Sequence, residues 1–107
     1  MRLPSVNNIL AVCSADKDSE KFFPLLTTPT VTLEKIESHG CATPEGYWYD
    51  QVDTEWVMLV TGSATLAFES GQRLALTAGD YLTLPSHCKH RVEQCSEDAR
   101  WLALHAR

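Results

Sequence analysis

Two histidines and a cysteine stand within four positions of the stretch GDYLTLPSHCKHRVE, residues 79–93. Imidazole and thiolate are common ligands of transition metals, and imidazole also exchanges protons near neutral pH. His87, Cys88 and His90 are therefore the first candidates for chemistry. No Cys/His/Asp nucleophile signature surrounds Cys88, and we interpret it as a bystander thiol.

A carboxylate and its neighbours form a second candidate group. Glu55 precedes the apolar run WVMLV, and burying a carboxylate without a partner costs free energy. We therefore favour an inward, functional Glu55 over a salt bridge at the rim. Tyr49 and Gln51 lie shortly before it, and aromatic residues beside such a group either line a ligand pocket or pack on the N-terminal segment.

Short β-strands are the elements that must position these side chains. Residues 56–60 are apolar at every position, which is typical of a strand covered on both faces, and later runs alternate apolar with polar residues. Turns such as Ser70-Gly71 separate these runs. Roughly six to eight strands with regular turn signals predict an all-β sandwich or barrel. Residues 14–28 predict one short helix or turn-rich segment, whose length Pro24 limits.

Two spaced motifs connect the candidates. Glu55 is followed by six residues and then Gly62; later, Gly79 is followed by five residues and Pro85, and His90 lies five positions further on. This order resembles the two motifs of the cupin superfamily, H-x-H-x(3,4)-E-x6-G and G-x5-P-x-G-x2-H-x3-N. More narrowly, the chain is similar to small single-domain bacterial cupins. The resemblance implies a small jelly-roll β-barrel.

The resemblance covers about residues 31–105, and the two histidines of the first motif are missing from it. Depending on the spacing before the glutamate, their positions hold Tyr49 and Gln51 or Trp48 and Asp50. In the second motif, His87 replaces the usual glycine and Gln94 replaces the usual asparagine. The barrel is therefore expected, while the three-histidine metal site does not carry over intact.

The family's metal site implies a candidate ligand set for this chain. Residues two apart in a strand point to the same face, so two histidines at positions i and i+2 can both point into the barrel. A carboxylate further along and a histidine from a neighbouring strand can then bind the same ion. The corresponding candidates here are Gln51, Glu55 and His90, with His87 as a replacement donor, and the cofactor would be one divalent ion, Zn, Mn, Fe or Ni. A phenol and an amide in place of two imidazoles weaken such a site.

Three histidines each keep two interpretations. For His90 we favour a ligand-binding or metal-binding role over a histidine that is hydrogen-bonded in a wet cavity. For His87 we favour a surface or rim position over metal binding, although a turn at Pro85 can break the strand alternation. His105 shares a strand face with Trp101, and we favour a frayed chain end over a place in the cavity.

Composition and charge limit the partners of this 107-residue chain. A formal charge of −5 provides no basic face for nucleic acid or anionic lipid, and no apolar run is long enough for a bilayer. Four cysteines without a CxxC pair favour reduced thiols in the cytoplasm. We expect a single domain, residues 1–107, with an arm over 1–30 that carries the helix, a barrel over 31–107, and a homodimer.

Three functions follow, in order of preference. The first is binding of a small polar metabolite in the barrel cavity, without chemistry, by Tyr49, Gln51, Glu55 and His90. The second is a metal-dependent isomerase, decarboxylase or dioxygenase in which Gln51, Glu55 and His90 hold the ion and Tyr49 donates a proton. The third is a metal-free acid/base catalyst in which Glu55 and His90 share the proton transfers.

Overall fold

Two antiparallel β-sheets make up the fold of residues 2–12 and 18–107, which are the residues that the computed structural model describes. These residues form eight strands and no helix, so the all-β prediction is confirmed. The strands are β1 (Lys21–Thr27), β2 (Val31–Glu37), β3 (Thr54–Thr61), β4 (Ser63–Phe68), β5 (Arg73–Thr77), β6 (Tyr81–Leu84), β7 (His90–Cys95) and β8 (Arg100–Ala106).

Strand β8 is the centre of the larger sheet, whose order is β1-β2-β8-β3-β6, while the smaller sheet has the order β5-β4-β7. The register places Ala103 between Glu34 of β2 and Val57 of β3, and it places His105 beside Glu55. Because alternate residues of a strand point to opposite faces, Glu34, Glu55 and His105 share one face of the larger sheet. Residues far apart in the sequence therefore come together between the two sheets.

The core lies between the sheets and is built from the inward residues of each strand. Leu59, Trp101 and Ala103 come from the larger sheet, and Leu66 comes from the smaller one. The apolar run 56–60 is buried on its inner face only, since its outer side chains are half-buried. The expectation that this strand is covered on both faces is met only in part.

The short N-terminal helix expected over residues 14–28 is wrong for the described part of that segment. Lys21–Thr27 form β1, which pairs with β2 so that Phe22 lies opposite Ile36, while residues 14–17 lie outside the described residues. The edge of β2 offers unpaired backbone groups, and pairing with it outweighs the weak local helix signal. Pro24 sits in this edge strand beside a bulge, where a missing amide hydrogen is tolerated.

Residues 2–12 and 18–107 contain no helix that could cross a bilayer.

The turn expected at Ser70-Gly71 joins β4 and β5, where the amide of Gly71 donates to the Phe68 carbonyl at 2.8 Å. The single-domain assignment and the homodimer stay predictions.

Candidate functional site

A cavity of about 80 Å³ lies between the two sheets, enough for several water molecules or a small organic ligand. Apolar side chains make up half of its wall, and acidic, imidazole, phenol and amide groups complete it. The lining residues are Glu20, Phe22, Glu34, Ile36, Tyr49, Gln51, Glu55, Val57, Leu66, Leu84, His90, Val92, Trp101 and His105.

Glu55 is a buried carboxylate in this cavity. It is the second residue of β3 and lies between His105 of β8 and Leu84 of β6. Its side chain is only 10% exposed, and its ion-pair contact to His90, Oε1 to Nε2, is 3.9 Å long. That distance exceeds a hydrogen bond, so the carboxylate makes no hydrogen bond to another described residue. Its oxygens are not among the fully buried atoms without a partner, so they remain accessible from the cavity.

His90 presents one ring nitrogen to the cavity, and a backbone contact indicates the tautomer of its neutral ring. It begins β7, and its Nδ1 lies 2.8 Å from the carbonyl oxygen of Cys88. Because a carbonyl can only accept, Nδ1 carries the hydrogen, and in the neutral ring Nε2 is left as an acceptor. Nε2 is the atom on the side of Glu55. Cys88 itself is half-buried against the core.

Tyr49 and Gln51 lie in the loop between β2 and β3, and backbone hydrogen bonds hold that loop against β7. The amide of Tyr49 donates to the His90 carbonyl at 2.8 Å, and the amide of His90 donates back at 3.1 Å. The Tyr49 ring stacks on the imidazole of His90 at 5.6 Å between centroids. Burial raises the pKa of Tyr49 above 10.0, aided by the nearby carboxylates, so the phenol keeps its proton at neutral pH.

His87 lies away from the cavity, at the surface position that was favoured. Its side chain is 63% exposed, and its Nδ1 lies 2.8 Å from Asp50 Oδ1. Its backbone has a φ of 59°, in the left-handed region that glycine adopts most easily, and it stands where the motif usually has glycine. The structure thus brings Gln51, Glu55 and His90 to one cavity and leaves His87 outside it.

His105 and Glu34 also belong to the cavity and were not among the predicted site residues. His105 Nε2 lies 3.1 Å from Glu34 Oε1, and both side chains are less than one-fifth exposed. The frayed chain end favoured for His105 is not observed, since β8 continues to Ala106 and pairs on both sides there. The shared face of His105 and Trp101 was the signal in the sequence that could have identified it.

Glu20 is a third acidic lining residue that sequence reasoning missed. The Ser38 hydroxyl donates to Glu20 Oε2 at 2.9 Å, and the indole Nε1–H of Trp101 donates to that same hydroxyl at 3.0 Å. Burial raises the pKa of Glu20, while the Ser38 hydrogen bond opposes the rise and the charge of Glu34 adds to it. Glu20 directly precedes β1, the segment expected as a helix, so its position could not be predicted.

Burial also raises the pKa of Glu55 above 4.5. The charges of His105 and His90 oppose that rise, and the charge of Glu34 adds to it. A carboxyl whose pKa is raised by folding binds its proton more tightly in the native state than in the unfolded chain. Its contribution to stability is therefore full below the unfolded pKa and is lost as the pH rises through the native pKa.

Glu55→Gln is therefore expected to raise the free energy of unfolding near neutral pH and to change it less near pH 4, because glutamine imitates the protonated carboxyl. Urea denaturation at about pH 4 and about pH 7.5 measures both values. Glu45→Gln, at an exposed position, is the control and should change neither. A Glu55→Gln protein less stable than wild type at about pH 7.5 would contradict the inferred cost of burying this charge.

The described residues do not fit a metal centre of the usual kind. No group of three or more His, Cys, Asp or Glu side chains among residues 2–12 and 18–107 is arranged to hold an ion. Glu55 and His90 make one adjacent pair, and Gln51 would add only a neutral amide oxygen. The metal-ligand roles of Gln51, Glu55, His87 and His90 stay predictions.

The comparisons with known proteins identify the family. The model of the Cupin domain matches residues 34–105, and the chain belongs to the cupin family. A candidate mannose-6-phosphate isomerase from Ralstonia eutropha JMP134 is 38% identical, with a TM-score of 0.89, over 96% of this chain and 98% of that chain. A search of curated proteins gave no match.

Two more distant structures share the fold. A cupin superfamily protein from Desulfitobacterium hafniense DCB-2 is 16% identical, with a TM-score of 0.79, over 97% of this chain and 94% of that chain. The iron(II) form of HppE is 12% identical, with a TM-score of 0.70, over 81% of this chain and 50% of that chain. At these identities the likeness concerns the fold alone.

Proposed function

We propose that this cupin binds a small organic molecule in the cavity between its sheets, with Glu55 and His90 as the polar groups that hold it and Tyr49 and Gln51 beside them. One observation carries the proposal. The Glu55 carboxylate and the His90 Nε2 are each on side chains only 10% exposed, both face the cavity, and they lie 3.9 Å apart. Neither group makes a hydrogen bond across the cavity to another described residue, so both are available to a ligand that enters it.

The shape and composition of the cavity support binding. Apolar residues from both sheets, among them Leu66 and Val57, surround a small number of convergent polar groups, which is the usual composition of a ligand site. The two-way backbone bridge between Tyr49 and His90 holds the loop in place, so little ordering is required when a ligand enters.

A thermal-shift screen of small polar metabolites tests the proposal, with His90→Ala and His87→Ala as a matched pair. A ligand at one hundred times its Kd should stabilise the wild type by about 2.7 kcal/mol. His87→Ala removes an exposed imidazole outside the cavity and should keep that stabilisation, whereas His90→Ala should lose most of it. Equal loss in both variants, or a hit that neither variant affects, would place the ligand elsewhere.

Metal-free acid/base catalysis is the second candidate, and the protonation states of the cavity favour it. The Cys88 carbonyl keeps His90 Nε2 available as a proton acceptor, and the raised pKa of Glu55 lets it act as a proton donor nearer to neutral pH. Turnover of a ligand found in the screen, lost in both His90→Ala and Glu55→Gln, would favour this candidate over simple binding.

We also propose a cytoplasmic location for this protein, whichever function it has.

A metal-dependent isomerase, decarboxylase or dioxygenase that uses Gln51, Glu55 and His90 is the remaining alternative. Elemental analysis of protein purified without chelator distinguishes it. About one Zn, Mn, Fe or Ni per chain, lost in His90→Ala, would replace the metal-free proposal with this one.

A further inference from the structure

The charges around the cavity indicate the chemical class of the ligand. We propose that the cavity takes a small organic cation, a protonated amine with a short apolar body, in preference to a carboxylate or a phosphorylated sugar. This inference rests on the proposed function, because it specifies the ligand of the same site.

Acidic groups dominate the charged part of the cavity wall. Glu20, Glu34 and Glu55 line it together with His90 and His105, and the described lining residues include neither lysine nor arginine. Carboxylates and phosphates are normally held by guanidinium, ammonium or backbone amide donors. An anionic ligand would lie beside three carboxyl groups without such a donor from the described wall, and like charges in a buried site repel strongly.

The three carboxyl groups differ in how far the protein already satisfies them. Glu34 has His105 at 3.1 Å, and Glu20 accepts the Ser38 hydroxyl at 2.9 Å. Glu55 accepts no hydrogen bond from any described residue, and its contact with His90 is 3.9 Å. Of the three carboxyl groups, Glu55 is therefore the one available to bind a positively charged or hydrogen-bonding group of a ligand.

An ammonium group has the donors that this position requires. It could donate one hydrogen bond to the Glu55 carboxylate and another to His90 Nε2, which accepts because Nδ1 holds the ring hydrogen. A hydrogen bond in which the donor or acceptor is charged is about twice as strong as one between neutral groups. A neutral alcohol has a single hydroxyl hydrogen, so it could donate to only one of these two acceptors, and without the charge.

Aromatic and aliphatic side chains provide for the rest of such a ligand. Phe22, Tyr49 and Trp101 line the cavity, and aromatic faces attract organic cations. Ile36 and Leu84 add aliphatic surface for a short hydrocarbon body. The volume of about 80 Å³ suits a body of a few carbon atoms.

An NMR titration with four probes tests the ligand class: n-propylammonium, 1-propanol, propionate and mannose 6-phosphate. We expect n-propylammonium to shift the signals of the Trp101 indole and the His90 ring with a Kd on the order of millimolar, as suits so small a molecule. The other three should bind at least about tenfold more weakly, or not at all. Glu55→Gln should weaken n-propylammonium binding about tenfold or more, while Glu45→Gln, at an exposed position, should leave it unchanged.

The outcomes separate this inference from the proposed function. Propionate or mannose 6-phosphate shifting the same signals more strongly than n-propylammonium would overturn the amine class and leave ligand binding in the cavity standing. Equal binding of 1-propanol and n-propylammonium would also overturn it, because charge would not matter. A failure of all four probes would overturn the amine class too, and the metabolite screen with the His90 and His87 variants would still decide the proposed function.

Discussion

Trp101→Ala is expected to lower the free energy of unfolding by about 3–5 kcal/mol, the usual cost of removing a large buried aromatic side chain. Trp101 is the second residue of β8 and is 3% exposed, in contact with the buried core and with the cavity. Its indole also donates to Ser38, which in turn donates to Glu20. The substitution therefore removes both the packing of the indole and its hydrogen bond to Ser38.

Trp101→Phe separates the two contributions. Phenylalanine keeps most of the buried area but cannot donate to Ser38, so we expect a loss of only about 1–2 kcal/mol. Urea denaturation of both variants gives the two values. Equal losses for alanine and phenylalanine would mean that the hydrogen bond, and not packing, dominates at this position.

Gly62→Ala is expected to be the second large effect, a loss of about 2–5 kcal/mol from backbone strain and crowding together. Gly62 joins β3 to β4 with a φ of 85°, a conformation that side chains other than glycine adopt at a cost. A Cβ there would overlap the hydroxyl of Ser96, lie 2.8 Å from Asp98 Oδ1 and lie 3.0 Å from the Ala99 Cα. To relieve this overlap, the Ser96 and Asp98 side chains must rotate away and the backbone at Ala99 must shift by a few tenths of an ångström. The rotation breaks the hydrogen bonds of the Ser96 hydroxyl with the Ser63 amide and with Asp98.

Gly71→Ala is the matched control for this prediction. Gly71 has a similar φ of 95°, but a Cβ there would have no atom within 4 Å. In the control, the free energy of unfolding should fall only by the cost of placing alanine at a positive φ, about 1–2 kcal/mol. The effect of alanine on the entropy of the unfolded chain is the same in both variants. The difference between the two midpoints of denaturation therefore measures the crowding at Gly62, and identical midpoints would contradict it.

Most of the fold could be predicted from the sequence because strands and turns leave local patterns in it. The alternation of apolar residues and the turn glycines predict strands directly, and Gly62, Gly79, Pro85 and His90 keep the spacing of the two motifs. The helix expected near Pro24 failed because β1 exists only through pairing with β2, and single-sequence reasoning does not see an edge that becomes available in the folded chain.

Part of the candidate site could also be predicted from local sequence patterns. Glu55 and His90 occupy motif positions, so their place in one cavity could be anticipated, whereas Glu34 and His105 meet through the register of β2 with β8. That register depends on strand order, which alternation alone does not specify. That Glu55 makes no hydrogen bond to a described residue depends on the same three-dimensional arrangement of the cavity wall.

Pro24 has a consequence for how copies of this protein can associate. It lies in the outermost strand of the larger sheet with a bulge at its side, so the regular ladder that a strand from another molecule would need is interrupted there. Open-ended growth of fibrils by strand addition is disfavoured along this border. Copies that meet at this border would therefore do so through side chains, where contact is finite and self-limiting.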